Sequence, residues 1–280
     1  MAVSIAHLGP SGTNTEAAAI QYANWLTKTT GAATQLCPYP SIALSLRAVA
    51  AGEVAVAVVP VENSTEGSVP VTLDGLWQFD RLQIQSALVL PIRHVLLSYA
   101  KAITSVQTVY SHPQALAQCQ GWLERFLPTA QLIPINSTTE ALQYLKDDST
   151  IAAVSSQRAA QLYTLPILAD AINDQPDNCT RFWVLSQQPS PGGHHTSVAF
   201  TVHDLPGSLV KPLQVFASRG INLSRIESRP TKRSLGDYLF FVDLEADARD
   251  ASVQATLAEL ANNTETLKVF GSYDVLPSEG

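Results

Sequence analysis

The chain is short of charge: Asp, Glu, Lys and Arg make up only 15% of its 280 residues, while 46% are hydrophobic. That scarcity excludes intrinsic disorder, because a chain this apolar buries enough surface to offset its ordering entropy. Positive charge is scarcer still, with 17 Lys and Arg against 24 Asp and Glu, a formal net charge of -7. Nucleic acids and anionic membranes are held mainly by cationic side chains, so neither is expected as a partner. Cysteine is sparse too: Cys37, Cys119 and Cys179 form no C-x-x-C or Cys/His spacing. This excludes the usual zinc and redox motifs, so no metal is expected, and the three read as buried, reduced thiols of a cytosolic protein. No apolar run is long enough for a membrane span, and no basic segment of a signal peptide follows Met1. A cytoplasmic location is expected. A small anionic substrate survives all of these exclusions, since a pocket can gather local N–H groups whatever the global charge.

A length of 280 residues suggests two domains. The seam is Ser186-Gln-Gln-Pro-Ser-Pro-Gly-Gly-His-His-Thr196, where Pro, Gly and polar residues displace apolar ones. It divides a domain at 1–187 from one at 197–277, with 188–196 as linker. Upstream, short apolar runs alternate with helical patterns, the signature of α/β architecture. Val3–Leu8, Val54–Val59, Leu82–Leu90, His94–Tyr99, Val106–Tyr110, Leu132–Pro134, Ile151–Val154 and Arg181–Leu185 read as strands or extended runs. Thr15–Leu26, Ile42–Ala51, Pro113–Phe126, Thr139–Lys146 and Gln157–Leu162 read as helices. Downstream, Ser197–Val202, a helix through Leu209, Leu213, Phe216 and Ala217, Ile221–Ser228, Tyr238–Leu244, Ala251–Ala261 and Leu267–Val275 sum to βαββαβ, a ferredoxin-like order.

Four strands of the first domain end in small polar residues: Ser11-Gly12-Thr13, Glu62-Asn63-Ser64-Thr65, Ser111-His112 and Ser155-Ser156. Such residues open helices, whose first turns present unpaired N–H groups and partial positive charge. In open α/β sheets these loops line the crevice beyond the strand ends, so together they suggest an anion-binding cleft. Taken singly, each is equally an ordinary helix cap.

Several strings then occur in a telling order: Gly9-Pro10-Ser11-Gly12-Thr13-Asn14-Thr15-Glu16, Pro60-Val61-Glu62-Asn63-Ser64-Thr65-Glu66-Gly67, Ser111-His112-Pro113-Gln114 with Gln118-Cys119, and Asn178-Cys179-Thr180-Arg181-Phe182. The set closely resembles prephenate dehydratase. Gly207-Ser208-Leu209-Val210, Arg219-Gly220-Ile221-Asn222-Leu223 and Glu227-Ser228-Arg229-Pro230 resemble the ACT regulatory domain joined to that enzyme. The resemblance implies a two-lobed, periplasmic-binding-protein-like α/β catalytic domain plus the ferredoxin-like ACT domain. It also implies decarboxylating dehydration of prephenate to phenylpyruvate, and dependence of that activity on Thr180. No redox cofactor or electron sink is needed for that chemistry, so no cofactor is expected. Further implications are L-phenylalanine bound as effector by Gly207, Ser208, Leu209 and Val210 with Glu227, Ser228, Arg229 and Pro230, and a homodimer or homotetramer through the ACT domains. Asn222 is a candidate for the effector's charged groups. The alternatives are an arogenate dehydratase and a non-catalytic sensor that keeps the cleft.

A threonine hydroxyl stays protonated far above neutral pH, so Thr180 suits a donor to the departing hydroxyl better than a titrating acid. Glu62 is the rival acid if burial raises its pKa, and His112 follows. Thr13, Asn63, Ser64, Ser111, Gln118 and Arg181 are the candidate substrate donors. Micromolar binding requires about -8 kcal/mol, and charge-assisted hydrogen bonds contribute roughly 1.5 to 3 kcal/mol each. Four or five of them suffice before association costs. Two reservations attach to this set: in an alternating strand Arg181 faces away from Thr180, and Gln118, two turns into its expected helix, also fits a solvated surface. Two positions depart from the family pattern. Asn14 stands where an aromatic residue is usual, and Pro212 falls in the first ACT helix, where an interior proline costs about 3 kcal/mol. That helix is expected to start late or to be distorted.

Overall fold

The structure is a computed structural model that describes residues 2–145 and 148–277. A first lobe is laid down by β1 (Val3–Leu8), α1 (Asn14–Thr30), β2 (Thr34–Tyr39), α2 (Ile42–Ala50), β3 (Val56–Asn63), β4 (Gly67–Ser68), α3 (Pro70–Gln78) and β5 (Gln83–Pro91). Each element has a local cause. In β1, Ile5 and Ala6 are fully buried, as a strand covered on both faces requires. The Thr13 hydroxyl accepts the Glu16 N–H to open α1, and Gly31 closes it with φ +72°. Four elements, β2, β4 and α3 here and a three-residue strand at Ile167–Ala169, escape the sequence patterns. β2 contains Pro38, which only an edge strand tolerates, and β2 is the edge of its sheet.

The chain then crosses to a second lobe of β6 (His94–Leu97), β7 (Thr108–Ser111), α4 (Pro113–Ala117), α5 (Gln120–Phe126), β8 (Gln131–Pro134), β9 (Ile151–Ser156), α6 (Gln157–Leu162) and β10 (Ile167–Ala169). Its sheet runs β10-β6-β9-β7-β8. The single helix expected over Pro113–Phe126 is broken at Gln118 and Cys119. Asp174 explains the break: its carboxylate accepts the N–H groups of Gly121 and Trp122, both at 2.8 Å, so α5 starts with a cap of its own. The helix expected at Thr139–Lys146 is a 3₁₀ turn at Glu140–Tyr144, and Lys146 lies outside the described residues.

From the second lobe the chain returns as β11 (Cys179–Ser186), which inserts between β3 and β5 to give the first-lobe order β2-β1-β3-β11-β5. Two crossings thus join the lobes, and the last strand to enter the first sheet carries Thr180.

The C-terminal module is β12 (His195–Thr201), α7 (Val210–Ser218), β13 (Leu223–Pro230), β14 (Tyr238–Leu244), α8 (Ala251–Asn262) and β15 (Thr266–Tyr273), in the sheet order β13-β14-β12-β15. The expected βαββαβ order stands. Pro212 is the third residue of α7 and lies in the first turn, where the missing N–H has no helical acceptor to lose. One face of the sheet packs under α7 and α8 through Val198, Phe200 and Val242. The other places Ala199, Leu239, Phe241, Phe270 and Tyr273 in one core with Leu82, Ile84 and Trp183 of the first lobe. The module is therefore bonded to the catalytic lobe by continuous apolar packing.

The lobes also clasp one another beside the cleft. The Ser156 hydroxyl donates to the Gly12 carbonyl at 2.7 Å, and Arg158 pairs with Glu16 at 2.9 Å. Burial opposes the Glu16 charge, but the Gly12 N–H and Arg158 outweigh it and hold the carboxyl below its usual range. Gly12 has φ +92°, and a Cβ there would lie 3.0 Å from Thr139 and 3.2 Å from Ala159, both on the second lobe. Gly12→Ala should therefore cost about 1 to 3 kcal/mol in urea unfolding. A loss below about 0.5 kcal/mol, the range of a neutral surface change, would contradict this packing.

Candidate active site

Between the lobes lies a cleft of about 980 Å³. Its floor is set by the pairing of β3 with β11, in which Asn63 stands opposite Thr180 and Glu62 opposite Arg181. β3 ends at Asn63, and the chain turns through Ser64–Glu66. That turn points two backbone N–H groups, from Thr65 and Glu66, at Asn63 Oδ1 at 3.0 and 3.1 Å. Backbone N–H groups only donate, so the orientation of the Asn63 amide is settled. Its Nδ2 therefore donates, to Thr180 Oγ1 and Asn178 Oδ1 at 2.9 Å each and to the Cys179 carbonyl at 3.2 Å.

This polarity propagates. The Thr180 hydroxyl accepts from Asn63 and makes no other hydrogen bond among the described residues, so its own hydrogen is free for the cleft it lines. Asn178 uses its oxygen on Asn63, so its Nδ2 donates to Gln118 Oε1 at 3.0 Å. Gln118 Nε2 turns to Thr65 Oγ1 at 3.1 Å. His94 Nε2 lies 2.9 Å from the same Gln118 Oε1 and must be the donor. His94 Nδ1 is then a bare acceptor, buried and without a partner among the described residues. Burial lowers the His94 pKa, which keeps the ring in this neutral form. One chain of amides and an imidazole thus joins both lobes at the cleft floor.

The charge around the cleft is as informative as the polar network. Among the described residues no Lys or Arg lines it, and Glu140 is its one carboxylate. The walls are supplied by Phe182, Ile92, Val69 and Leu142, with Asn14 beside the N-terminus of the long helix α1.

The sequence pattern of prephenate dehydratase matches residues 5–190, and that of the ACT domain matches residues 196–262. The chain belongs to the prephenate dehydratase family. It is 42% identical to the bifunctional chorismate mutase/prephenate dehydratase of Aquifex aeolicus over 97% of this chain and 73% of that protein. It is 35% identical to the prephenate dehydratase of Lactococcus lactis subsp. cremoris over 98% of each chain. The crystal structure of prephenate dehydratase from Arthrobacter aurescens in complex with L-Phe superposes with a TM-score of 0.83 at 36% identity, covering 99% of this chain and 92% of that one. Prephenate dehydratases are lyases that turn prephenate into phenylpyruvate, and the chain is an enzyme of that class.

Against this frame the expected residues of a prephenate dehydratase site divide. Thr13, Asn63, Gln118 and Thr180 line the cleft, as does His112, whose Nδ1 caps α4 and whose pKa burial lowers. Thr13 donates its hydrogen to the Leu8 carbonyl, which leaves only acceptor capacity on that side chain. Gln118 is buried, because the break after α4 turns it inward. Four candidates are corrected. Glu62 and Arg181 lie on the opposite face of the β3–β11 pair, 3.5 Å from each other and outside the cleft. Ser111 is fully buried and gives its hydrogen to the Val154 carbonyl at 2.6 Å. Ser64 is exposed and bridges Asn178 to the Cys179 N–H, so it braces the floor from outside.

In the ACT module, Gly207, Ser208, Leu209 and Val210 lie where α7 begins, at the end of the sheet that also holds Ser228 and Pro230. Arg229 is engaged by Asp74 of α3 at 3.1 Å, and Asn222 donates to Glu245. Within one chain Asn222 sits at the far end of β13 from Pro230, roughly 25 Å away at the rise of a strand. Glu227 lies between them, half-buried.

Sequence reading missed His94 and Asn178. The available signal was chemical: a lone imidazole heading an apolar strand is buried, and a buried polar group needs a partner.

Since the folded pKa of His94 lies below the unfolded value near 6.5, the unfolded chain binds its proton first as pH falls. Its stabilising contribution is complete above about pH 6.5 and is lost as pH drops through the folded value. Urea unfolding should show stability falling as pH drops below about 6.5, with a shallower fall in His94→Gln. Equal slopes would contradict a neutral, buried His94.

Proposed function

We propose that the cleft carries out the dehydration through the Thr180 hydroxyl, with Asn63 aiming it. In prephenate the bond from the ring to its carboxylate breaks, its electron pair enters the ring, and the ring's carbon–oxygen bond to the hydroxyl breaks. The departing oxygen takes one proton and leaves as water, carbon dioxide is released, and phenylpyruvate remains. Thr180 donates a hydrogen bond to that oxygen as it gains charge, and solvent supplies the net proton. The Asn63 Nδ2 at 2.9 Å strengthens this donor by polarising the hydroxyl it binds. A group that never leaves its protonated state cannot itself be consumed, which suits a relay.

The absence of cations from the described lining assists the other bond. A carboxylate paired with Arg would be stabilised as the anion and would hold its charge. Held by neutral donors between apolar walls, it gains more by releasing that charge into the ring. The N-terminal turn of α1 and the lining side chains of Asn14 and Gln114 are the donors available for the substrate's two carboxylates. The observation that carries the reading is the free hydrogen of Thr180 at the cleft floor.

The ACT module supports feedback by L-phenylalanine, the ligand present in the Arthrobacter aurescens structure. In this reading the effector binds between ACT modules of two copies of the chain, using Gly207–Val210 and Glu227–Pro230. A homodimer or homotetramer follows, and a cytoplasmic location fits the three free thiols of Cys37, Cys119 and Cys179. A second substrate, arogenate, is favoured by one observation: Glu140 is a carboxylate in the cleft lining that an ammonium group would meet.

Purified protein supplied separately with prephenate and with arogenate should form phenylpyruvate from the first. Thr180→Ala should lower kcat about 100- to 1000-fold with an unchanged circular dichroism spectrum, and Thr180→Ser should restore most of the rate. Turnover in Thr180→Ala near the parent value would refute the assignment, and faster turnover of arogenate would transfer it to that substrate.

A further inference from the structure

Strand alternation gives β11 two faces with different audiences. Thr180 and Phe182 face the cleft, while Arg181 and Trp183 face the ACT module. Arg181 Nη1 stands 3.5 Å from Glu62 Oε2 and 3.6 Å from Asp243 Oδ2, and Asp243 belongs to β14. Asp243 is 2% exposed and is held from within its own module by the Ser197 hydroxyl and by Arg225 Nη1 at 3.1 Å. The Arg225 guanidinium in turn lies over the Trp183 ring at 5.7 Å, and the Tyr273 ring meets Trp183 edge-on at 6.3 Å. Glu62, Arg181, Asp243 and Arg225 therefore form one row of alternating charge across the domain boundary.

The two ends of the row differ in burial. Asp243 and Arg225 are buried and hydrogen-bonded, whereas Arg181 and Glu62 are each about one-third exposed and make longer contacts. If the ACT module shifts, Arg225 travels with Asp243 and slides from Ser68 and the Trp183 ring, but Arg181 stays with the catalytic strand and retains Glu62 alone. Arg181 adjoins Thr180, and Glu62 adjoins Asn63. A change of partner at Arg181 thus acts on the two strand positions that aim the reactive hydroxyl.

We propose that Arg181 is a positioning residue whose pairing with Asp243 reports the state of the ACT module to Thr180. The residue does not touch substrate; it acts through the backbone of β11. This rests on the feedback reading above and assigns its route: effector binding moves Asp243 relative to Arg181, and the Thr180–Asn63 pair follows. A ligand shifts such an equilibrium only through the state it binds better, so severing the contact should place the site in the effector-bound arrangement beforehand and leave L-phenylalanine little further to change.

The test is made on the full chain, with prephenate turnover measured with and without L-phenylalanine and effector binding measured by calorimetry. Arg181→Gln leaves the buried Asp243–Arg225 pair intact. Without effector it should already lower kcat toward the parent's inhibited value, with L-phenylalanine binding no more than about threefold weaker than in the parent, and saturating effector should then change its rate less than about twofold. Arg181→Lys should recover inhibition, and adding Asp243→Asn to Arg181→Gln should produce no further uncoupling. Inhibition of Arg181→Gln equal to that of the parent would overturn the proposal. A parent that binds no L-phenylalanine would instead overturn the feedback reading, and the route with it.

Discussion

The site depends on one hydrogen-bond orientation. Two backbone N–H groups in the turn after β3 hold the oxygen of Asn63, and every polarity at the cleft floor follows from that. Thr180 must accept from Asn63, so its hydrogen is free. Asn178 must donate to Gln118, and His94 must donate from Nε2. No titration decides any of these assignments; they rest on groups that can only donate. The backbone turn is in turn fixed by the register of β3 with β11, which brings residues more than a hundred positions apart into direct opposition.

The global charge takes on a different meaning beside this geometry. A formal -7 is an obstacle to a dianion, and the family's substrate is one. Among the described residues no cationic side chain answers it in the cleft. The arginines near the site are spent elsewhere: Arg158 in the clasp between lobes, Arg181 and Arg225 at the domain boundary, Arg229 on Asp74. Neutral donors and a helix N-terminus remain for the substrate, which suits a reaction that must release negative charge rather than hold it.

Much of the fold was legible in the sequence. Buried apolar runs such as Val3–Leu8 and the βαββαβ order after residue 195 are local patterns, and local patterns survive tertiary packing. β2 was hidden by Pro38, whose tolerance depends on an edge position that only the assembled sheet supplies. The break after α4 was hidden because its cause, Asp174, is distant in the chain. The site was legible where a family motif marked it, at Asn63, Gln118 and Thr180. Strand alternation alone warned that Arg181 faces away, and the structure agrees. Alternation also applied to Glu62, one residue from Asn63, but an acid beside a reactive site drew a catalytic reading. Ser111 shows the remaining difficulty, since a strand-end hydroxyl reads the same whether it meets a ligand or a buried carbonyl.

The most direct measurement is of Asn63→Asp. This change keeps the size and the oxygen that receives the two backbone N–H groups, and replaces the donor facing Thr180 by an acceptor. The Thr180 hydrogen would then turn onto the introduced carboxylate and away from substrate. With prephenate, kcat should fall at least about 100-fold with KM within about threefold, and combining the change with Thr180→Ala should add no further loss. Turnover of Asn63→Asp within about threefold of the parent would contradict the claim that Asn63 frees the reactive proton.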